Sequence, residues 1–179
     1  WFWHYGNGEI GNNGPHRTDI VDWVWDKGLP VDVYATGGIF GYEKDARETP
    51  NTHAVNYTFA DGTIYSIEIR NRFTPGRPMV SLFGTAGYGE DLKLYDKEGE
   101  EIPDEKPMLG PPDSTVAHMK TFLEAVQAQD PSAVAATAEQ GHIAAALCHL
   151  GNISYRVGRQ LRFDPKTEQF EGDDEANAL

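Results

Sequence analysis

Cysteine is almost missing: the 179 residues hold one, Cys148. An internal disulfide and a cysteine-built zinc site are therefore excluded. Positive charge is scarce as well, with 15 Lys and Arg against 28 Asp and Glu and a formal net charge of −13. A field of that sign gives no long-range attraction to phosphate backbones or anionic lipid. Long apolar runs are absent too. The best candidate, Ile143 to Leu150, is broken by His149 and falls far short of the roughly 20 residues a spanning helix needs. No HExxH and no GxSxG occurs, which argues against the common metalloprotease and serine hydrolase sites. A strand–GxGxxG–helix unit is also lacking, because the glycines from Gly84 to Gly89 do not open a helix.

What is present fits one globular domain, residues 1–179, with enough chain to bury a core. Its start, Trp1-Phe2-Trp3-His4-Tyr5, is no signal sequence, and the chain reads as a fragment. The first fourteen residues are aromatic and then glycine-rich, a loop that places rings near something. Asn13-Gly14-Pro15 supplies a cap and a proline for a first helical position. The spacing predicts a helix from Pro15 to Lys27, ended by Gly28 and Pro30, with His16, Ile20 and Trp23 on one face and Asp19 beside it.

From Val31 the apolar period becomes two, predicting a strand into Gly37-Gly38. Gly41 to Thr52 reads as a charged loop. Val55, Tyr57 and Phe59 then alternate with polar residues, as do Tyr65, Ile67 and Ile69. A two-residue Asp61-Gly62 turn would put these rows on opposite faces. A three-residue loop, Ala60 to Gly62 with Gly62 left-handed, brings them together, and this form is predicted. Left exposed in a monomer, rows such as Tyr57, Phe59, Tyr65 and Ile67 would demand a partner.

Further strands are expected at Met79 to Gly84, Leu92 to Asp96 and Leu161 to Phe163. Glu100 to Pro112 reads as an acidic, proline-rich surface loop. Asp113 or Ser114 should cap a helix carrying Val116, Met119, Phe122, Leu123 and Val126, stopped by Asp130-Pro131. A last long helix should run from near Ser132 to Gly158. The acidic tail, Glu171 to Leu179, is expected to fray. Strands in runs and helices in runs make the fold class α+β, a largely antiparallel open sheet with helices on one face.

The sharpest chemical signal is Gly11 to Asp19, GNNGPHRTD. A histidine in the first turn of a helix feels the positive end of the dipole, which disfavours imidazolium. Such a ring accepts a proton near neutral pH. Asp19, three residues on, is placed to orient it. Against this stands the plain alternative that His16 caps or packs. Trp1, Trp3 and Tyr5 are suited either to stack on a sugar ring or to plug an interface. Arg47, Glu48 and Thr49 lie in a loop that reaches toward a substrate or is simply solvated. His142 and His149 share a face of the last helix and are read as packing residues rather than metal ligands, with Cys148 beside them a buried small hydrophobe. No constellation surrounds His53 or His118.

The nine-residue motif resembles the Asp-x-Gly-x-His-x-x-Asp pattern of the Gfo/Idh/MocA family of NAD(P)-dependent sugar oxidoreductases. Gly14, His16 and Asp19 match it, and Asn12 stands where the family has its first aspartate. Trp3 to Gly14, Glu48 to Thr52, Phe59 to Gly62 and Leu147 to Pro165 resemble the family's bacterial branch. The resemblance implies the C-terminal α/β half of a two-domain enzyme, used for substrate binding and oligomerisation. It implies His16 as the residue assisting the hydroxyl proton, Asp19 as its orienter, and Asn12 beside the substrate; Trp3, Tyr5 and Arg47 are substrate-binding candidates on their own chemistry. An amide at residue 12 hydrogen-bonds a hydroxyl but cannot take its proton.

The family's nucleotide turn and catalytic lysine belong to an N-terminal Rossmann half. Glu105-Lys106-Pro107 copies the lysine motif in letters only. NAD or NADP is thus expected in the complete enzyme, where a hydride passes from the sugar to it, and none in these residues, which alone are expected to be inactive. Expected partners are that Rossmann half, a carbohydrate substrate and a second copy through the sheet face. Glycoside cleavage by transient oxidation and a non-catalytic sugar-binding scaffold are the alternatives.

Overall fold

The computed structural model describes residues 1–41, 44–71, 80–90, 93–103, 114–134 and 136–179. They form two compact units, Trp1–Pro75 with Gln140–Leu179, and Gly76–Glu139.

The first unit is built on an open antiparallel sheet. Its strands are β1 (Asp32–Gly38), β2 (Thr52–Thr58), β3 (Ile64–Arg70), β8 (Leu161–Asp164) and β9 (Gln169–Phe170), in the order β3-β2-β1-β8-β9. Two helices, α1 (Gly8–Trp25) and α3 (Ala138–Val157), supply most of the apolar surface that meets it. Alternation decides which side is covered: Val33, Ala35, Val55, Tyr57, Tyr65 and Ile67 are all buried, as period-two patterning requires.

The β2–β3 hairpin has the three-residue form. Tyr57 pairs with Tyr65 and Thr58 with Ile64. The Phe59 N–H donates to the Thr63 carbonyl at 2.9 Å, and Gly62 adopts φ 86°. Both apolar rows therefore share one face, and the Tyr57 and Tyr65 rings stack with centroids 5.6 Å apart. That face is covered within the chain, so these rows are not the exposed dimer surface expected of them. The Tyr57 hydroxyl donates to the Leu147 carbonyl of α3 at 2.6 Å. The other side of the sheet carries Tyr34, Thr36, Asn56, Ser66 and Glu68, all exposed and mostly polar.

The start of α1 departs from expectation. The helix begins at Gly8, seven residues before Pro15, which lies inside it. Gly8, Gly11, Gly14 and Pro15 are poor helix formers, yet Ile10 and Glu9 are buried in that extra stretch. Burial of an amphipathic face outweighs propensity here. Proline removes one i→i−4 bond, and Thr18 bridges the same region. Its hydroxyl lies 3.2 Å from the Gly14 carbonyl and 3.0 Å from Ala144 O on α3. Gly14 allows the two helices to touch, since a Cβ there would sit 2.7 Å from Cys148 Sγ.

The last long helix also starts late. A 3-10 turn, Pro131–Ala133, precedes it, capped by the Asp130 side chain accepting from the Ser132 N–H. The tail does not fray. Asp173 caps a short helix, α4 (Asp174–Asn177), and its carboxylate accepts from Arg159 Nη2 at 2.7 and 2.8 Å and from Nε at 3.1 Å. An acidic tail becomes ordered because one arginine collects its charge.

In the second unit β4 (Ser81–Phe83), β5 (Gly87–Glu90), β6 (Lys93–Asp96) and β7 (Glu101–Ile102) form a separate antiparallel sheet in that order. Helix α2 (Ser114–Ala128) has the predicted extent. The proline-rich loop's residues 104–113, with Glu105-Lys106-Pro107, lie outside the described residues, as do Met79 and Leu92. No helix among the described residues is long and apolar enough to cross a membrane.

Candidate functional site: the exposed strip of α1

Helix α1 has two unlike sides. Ile10, Gly14, Thr18 and Val21 are buried, whereas Asn12, His16, Asp19 and Trp23 are exposed. At about 100° per residue, those four fall within an arc of about 60° and rise along roughly 16 Å of the helix axis. The structure thus brings Asn12, His16 and Asp19 onto one open strip, with Trp23 at its end, while the third matched residue, Gly14, is buried on the other side. His16 lies in the third turn, not the first. The positive end of the helix dipole therefore does not act on its ring, because the effect fades beyond the first turn.

Glu9 stands two turns before His16, about 20° away around the helix. Its carboxylate is buried and gathers three segments. Oε1 accepts from Trp1 Nε1 at 2.9 Å and from Asn71 Nδ2 at 2.5 Å, and Arg47 Nη1 lies 3.9 Å away. Arg47 also approaches Asp45 Oδ2 at 3.7 Å, and its guanidinium carbon sits 5.7 Å from the Trp1 ring centre. Only 7% of the Arg47 side chain is exposed. The loop around it is not an ordinary solvated one: Thr49 is fully buried, and the Glu48 carboxylate accepts from the Trp3 N–H at 2.8 Å.

The aromatic opening divides into three fates. Trp3 is partly covered, near Tyr155 with the Arg156 guanidinium carbon 5.2 Å from its ring centre. Tyr5 is 85% exposed and meets the His4 ring edge-on. Trp1 is exposed but tied down.

Two residues escaped the sequence reading. Glu9 carried no spacing signal, because its partners come from 38 and 62 positions downstream. His53 did carry one, since it continues the inward row of Val55 and Tyr57. Its ring is 1% exposed, and neither nitrogen has a hydrogen-bond partner among the described atoms. It packs edge-on to Tyr155 at 5.2 Å, and burial lowers its pKa from 6.5 to about 4. Cys148 is buried as expected, and burial pushes its thiol up to about 12. His142 and His149 are exposed rather than packed, and His142 Nε2 lies 3.0 Å from the Glu168 carboxylate. No group of three His, Cys, Asp or Glu able to hold a metal occurs among the described residues.

Every strand pairing among the described residues is antiparallel. A dinucleotide is ordinarily held by a parallel β–α–β unit with a glycine turn at the helix start. The described residues contain no such unit.

A family described as "Oxidoreductase family, C-terminal alpha/beta domain" matches residues 1–179. The chain belongs to this oxidoreductase family. Solved dehydrogenases share the fold at low identity. A UDP-N-acetylglucosamine 3-dehydrogenase, GnnA, from Acidithiobacillus ferrooxidans is 19% identical with TM-score 0.62, over 80% of this chain and 46% of its own. The WlbA dehydrogenase from Bordetella pertussis, solved with NADH and UDP-GlcNAcA, is 18% identical with TM-score 0.61, over 91% and 48%. A myo-inositol dehydrogenase from Corynebacterium glutamicum is 20% identical with TM-score 0.60, over 89% and 51%. The chain thus spans about half the length of these relatives. No protein of curated function matches it by sequence.

Proposed function

We propose that this chain is the substrate-binding half of an NAD(P)-dependent oxidoreductase acting on the CH–OH groups of a sugar or polyol. The observation that carries the reading is the strip itself: Asn12, His16 and Asp19 exposed together on one side of a helix whose other side is bolted to the core. Support for the substrate class comes from the relatives, which act on a nucleotide sugar and an inositol.

Within this reading His16 accepts the proton of the hydroxyl being oxidised, a role an accessible imidazole fills well. Asp19, one turn on, steadies the ring. Asn12, one turn before, hydrogen-bonds a neighbouring hydroxyl through its amide. Trp3 and Tyr5 offer ring surface to the sugar, and Arg47 backs the Trp1 indole rather than reaching out itself. The dinucleotide belongs to a Rossmann half that completes the enzyme, and residues 1–179 alone are inactive. Association of copies would use the polar sheet face of Tyr34, Asn56, Ser66 and Glu68.

The test incubates the full-length protein with NAD+ or NADP+ and D-glucose, myo-inositol or UDP-N-acetylglucosamine, following absorbance at 340 nm. Reduction with at least one of them is expected. Release of aglycone from an aryl glycoside without net NADH would replace oxidation by eliminative cleavage.

A further inference from the structure

Among Trp1, Trp3 and Tyr5, which precede α1 together with Phe2, Trp1 is the one both open and fixed. Tyr5, at 85% exposure, touches only a neighbouring exposed histidine ring, and Trp3 is partly covered by Tyr155 and Arg156. Trp1 keeps 61% of its surface open yet is held at four points. Its indole N–H donates to Glu9, the Arg47 guanidinium lies over its ring, and its carbonyl accepts from Glu48 N at 2.8 Å and Thr49 N at 3.3 Å. An exposed aromatic whose rotamer is already fixed loses little entropy on meeting a ligand. An indole's apolar face with its polar edge satisfied suits a flat C–H surface.

We infer that Trp1 is the platform on which the apolar C–H face of the sugar ring rests, and that Glu9 is the positioning residue holding it there. Glu9 projects from the same side of α1 as His16, about 10 Å nearer the helix start. The inference rests on the sugar-oxidoreductase reading but names residues that the motif does not contain. Because one carboxylate oxygen serves Trp1 and Asn71 together, an amide in its place keeps both bonds, while alanine loses them.

The test uses full-length Trp1→Ala, Glu9→Ala and Glu9→Gln, with D-glucose, myo-inositol and UDP-N-acetylglucosamine as probes, read by NAD(P)+ reduction and by tryptophan-fluorescence titration. Glu9→Ala is expected to raise KM about tenfold while kcat moves less than about twofold. Trp1→Ala should do the same, the double variant should add little, and Glu9→Gln should recover most of the loss. Should Glu9→Ala fail to fold, Trp1→Ala and Glu9→Gln carry the comparison. Unchanged KM in Trp1→Ala, additive effects, or a Glu9→Gln protein no better than alanine overturns the inference. Wild-type protein that binds a probe without oxidising it, and loses binding in Trp1→Ala, sinks the oxidation reading and leaves the platform standing. Wild-type protein that neither binds nor oxidises any probe sinks both.

Discussion

Helices α3 and α2 carry the same kind of sequence and end in opposite circumstances. In α3 the residues Ala144, Leu147, Cys148 and Leu150 are buried. In α2 the residues Val116, Met119, Phe122, Leu123 and Val126 fall on one side at comparable spacing, and all are exposed; of its described residues only Ala125 is buried. The difference teaches that amphipathic spacing shows a helix has an apolar side without showing what covers it. On α3 the cover is specific, with Tyr57 of β2 and Gly14 and Thr18 of α1 each meeting a named atom.

The comparison breaks most visibly at Leu147. Leu147→Ala should cost about 3 kcal/mol, the usual penalty for a buried leucine whose site cannot collapse, measured by urea unfolding. A cost below about 1 kcal/mol would erase the contrast with α2. Nearly as large is a pH effect in the same core. The unfolded chain protonates His53 near 6.5, whereas the folded one stays neutral down to about 4. Stability should therefore fall as pH drops from about 6.5 to 4 and then level off, by at most about 3 kcal/mol from this group. His53→Leu should flatten that part of the profile.

A smaller effect marks the chain end. Asp173→Ala removes the cap of α4 and the Arg159 bonds, and should cost about 1 kcal/mol, visible as fraying of residues 174–179 in hydrogen exchange. The smallest belongs to α2: Leu123→Ala should cost less than about 1 kcal/mol, since its side chain is 54% exposed and loses little burial. A cost equal to that of Leu147 would show that the α2 face is covered in solution.

Much of this was legible in the sequence because the physics was local. The β2–β3 register followed from asking which loop puts Tyr57 and Tyr65 on one face, and the stop of α3 from Gly158, at φ 70°. The errors came where distant residues decided. Glycines and Pro15 argue against a helix from Gly8, and only burial of Glu9 and Ile10 against other segments outweighs them. The acidic tail looked unfoldable without Arg159. Helical spacing sets His16, Asp19 and Trp23 close together, whereas Asn12 joins them only because the helix begins at Gly8 rather than Pro15, which also takes His16 out of the first turn. Glu9 and its partners could not be found, because nothing in a single stretch of chain announces a contact made 62 residues away.

The measurement that bears most directly on the account is the turnover of full-length His16→Ala beside wild type, at saturating sugar and dinucleotide. If His16 takes the hydroxyl proton, kcat falls by about 100-fold or more while the variant's melting temperature stays within a degree or two of wild type, because the side chain is exposed. An unchanged kcat in a folded variant would contradict the account and leave the strip without a catalytic histidine.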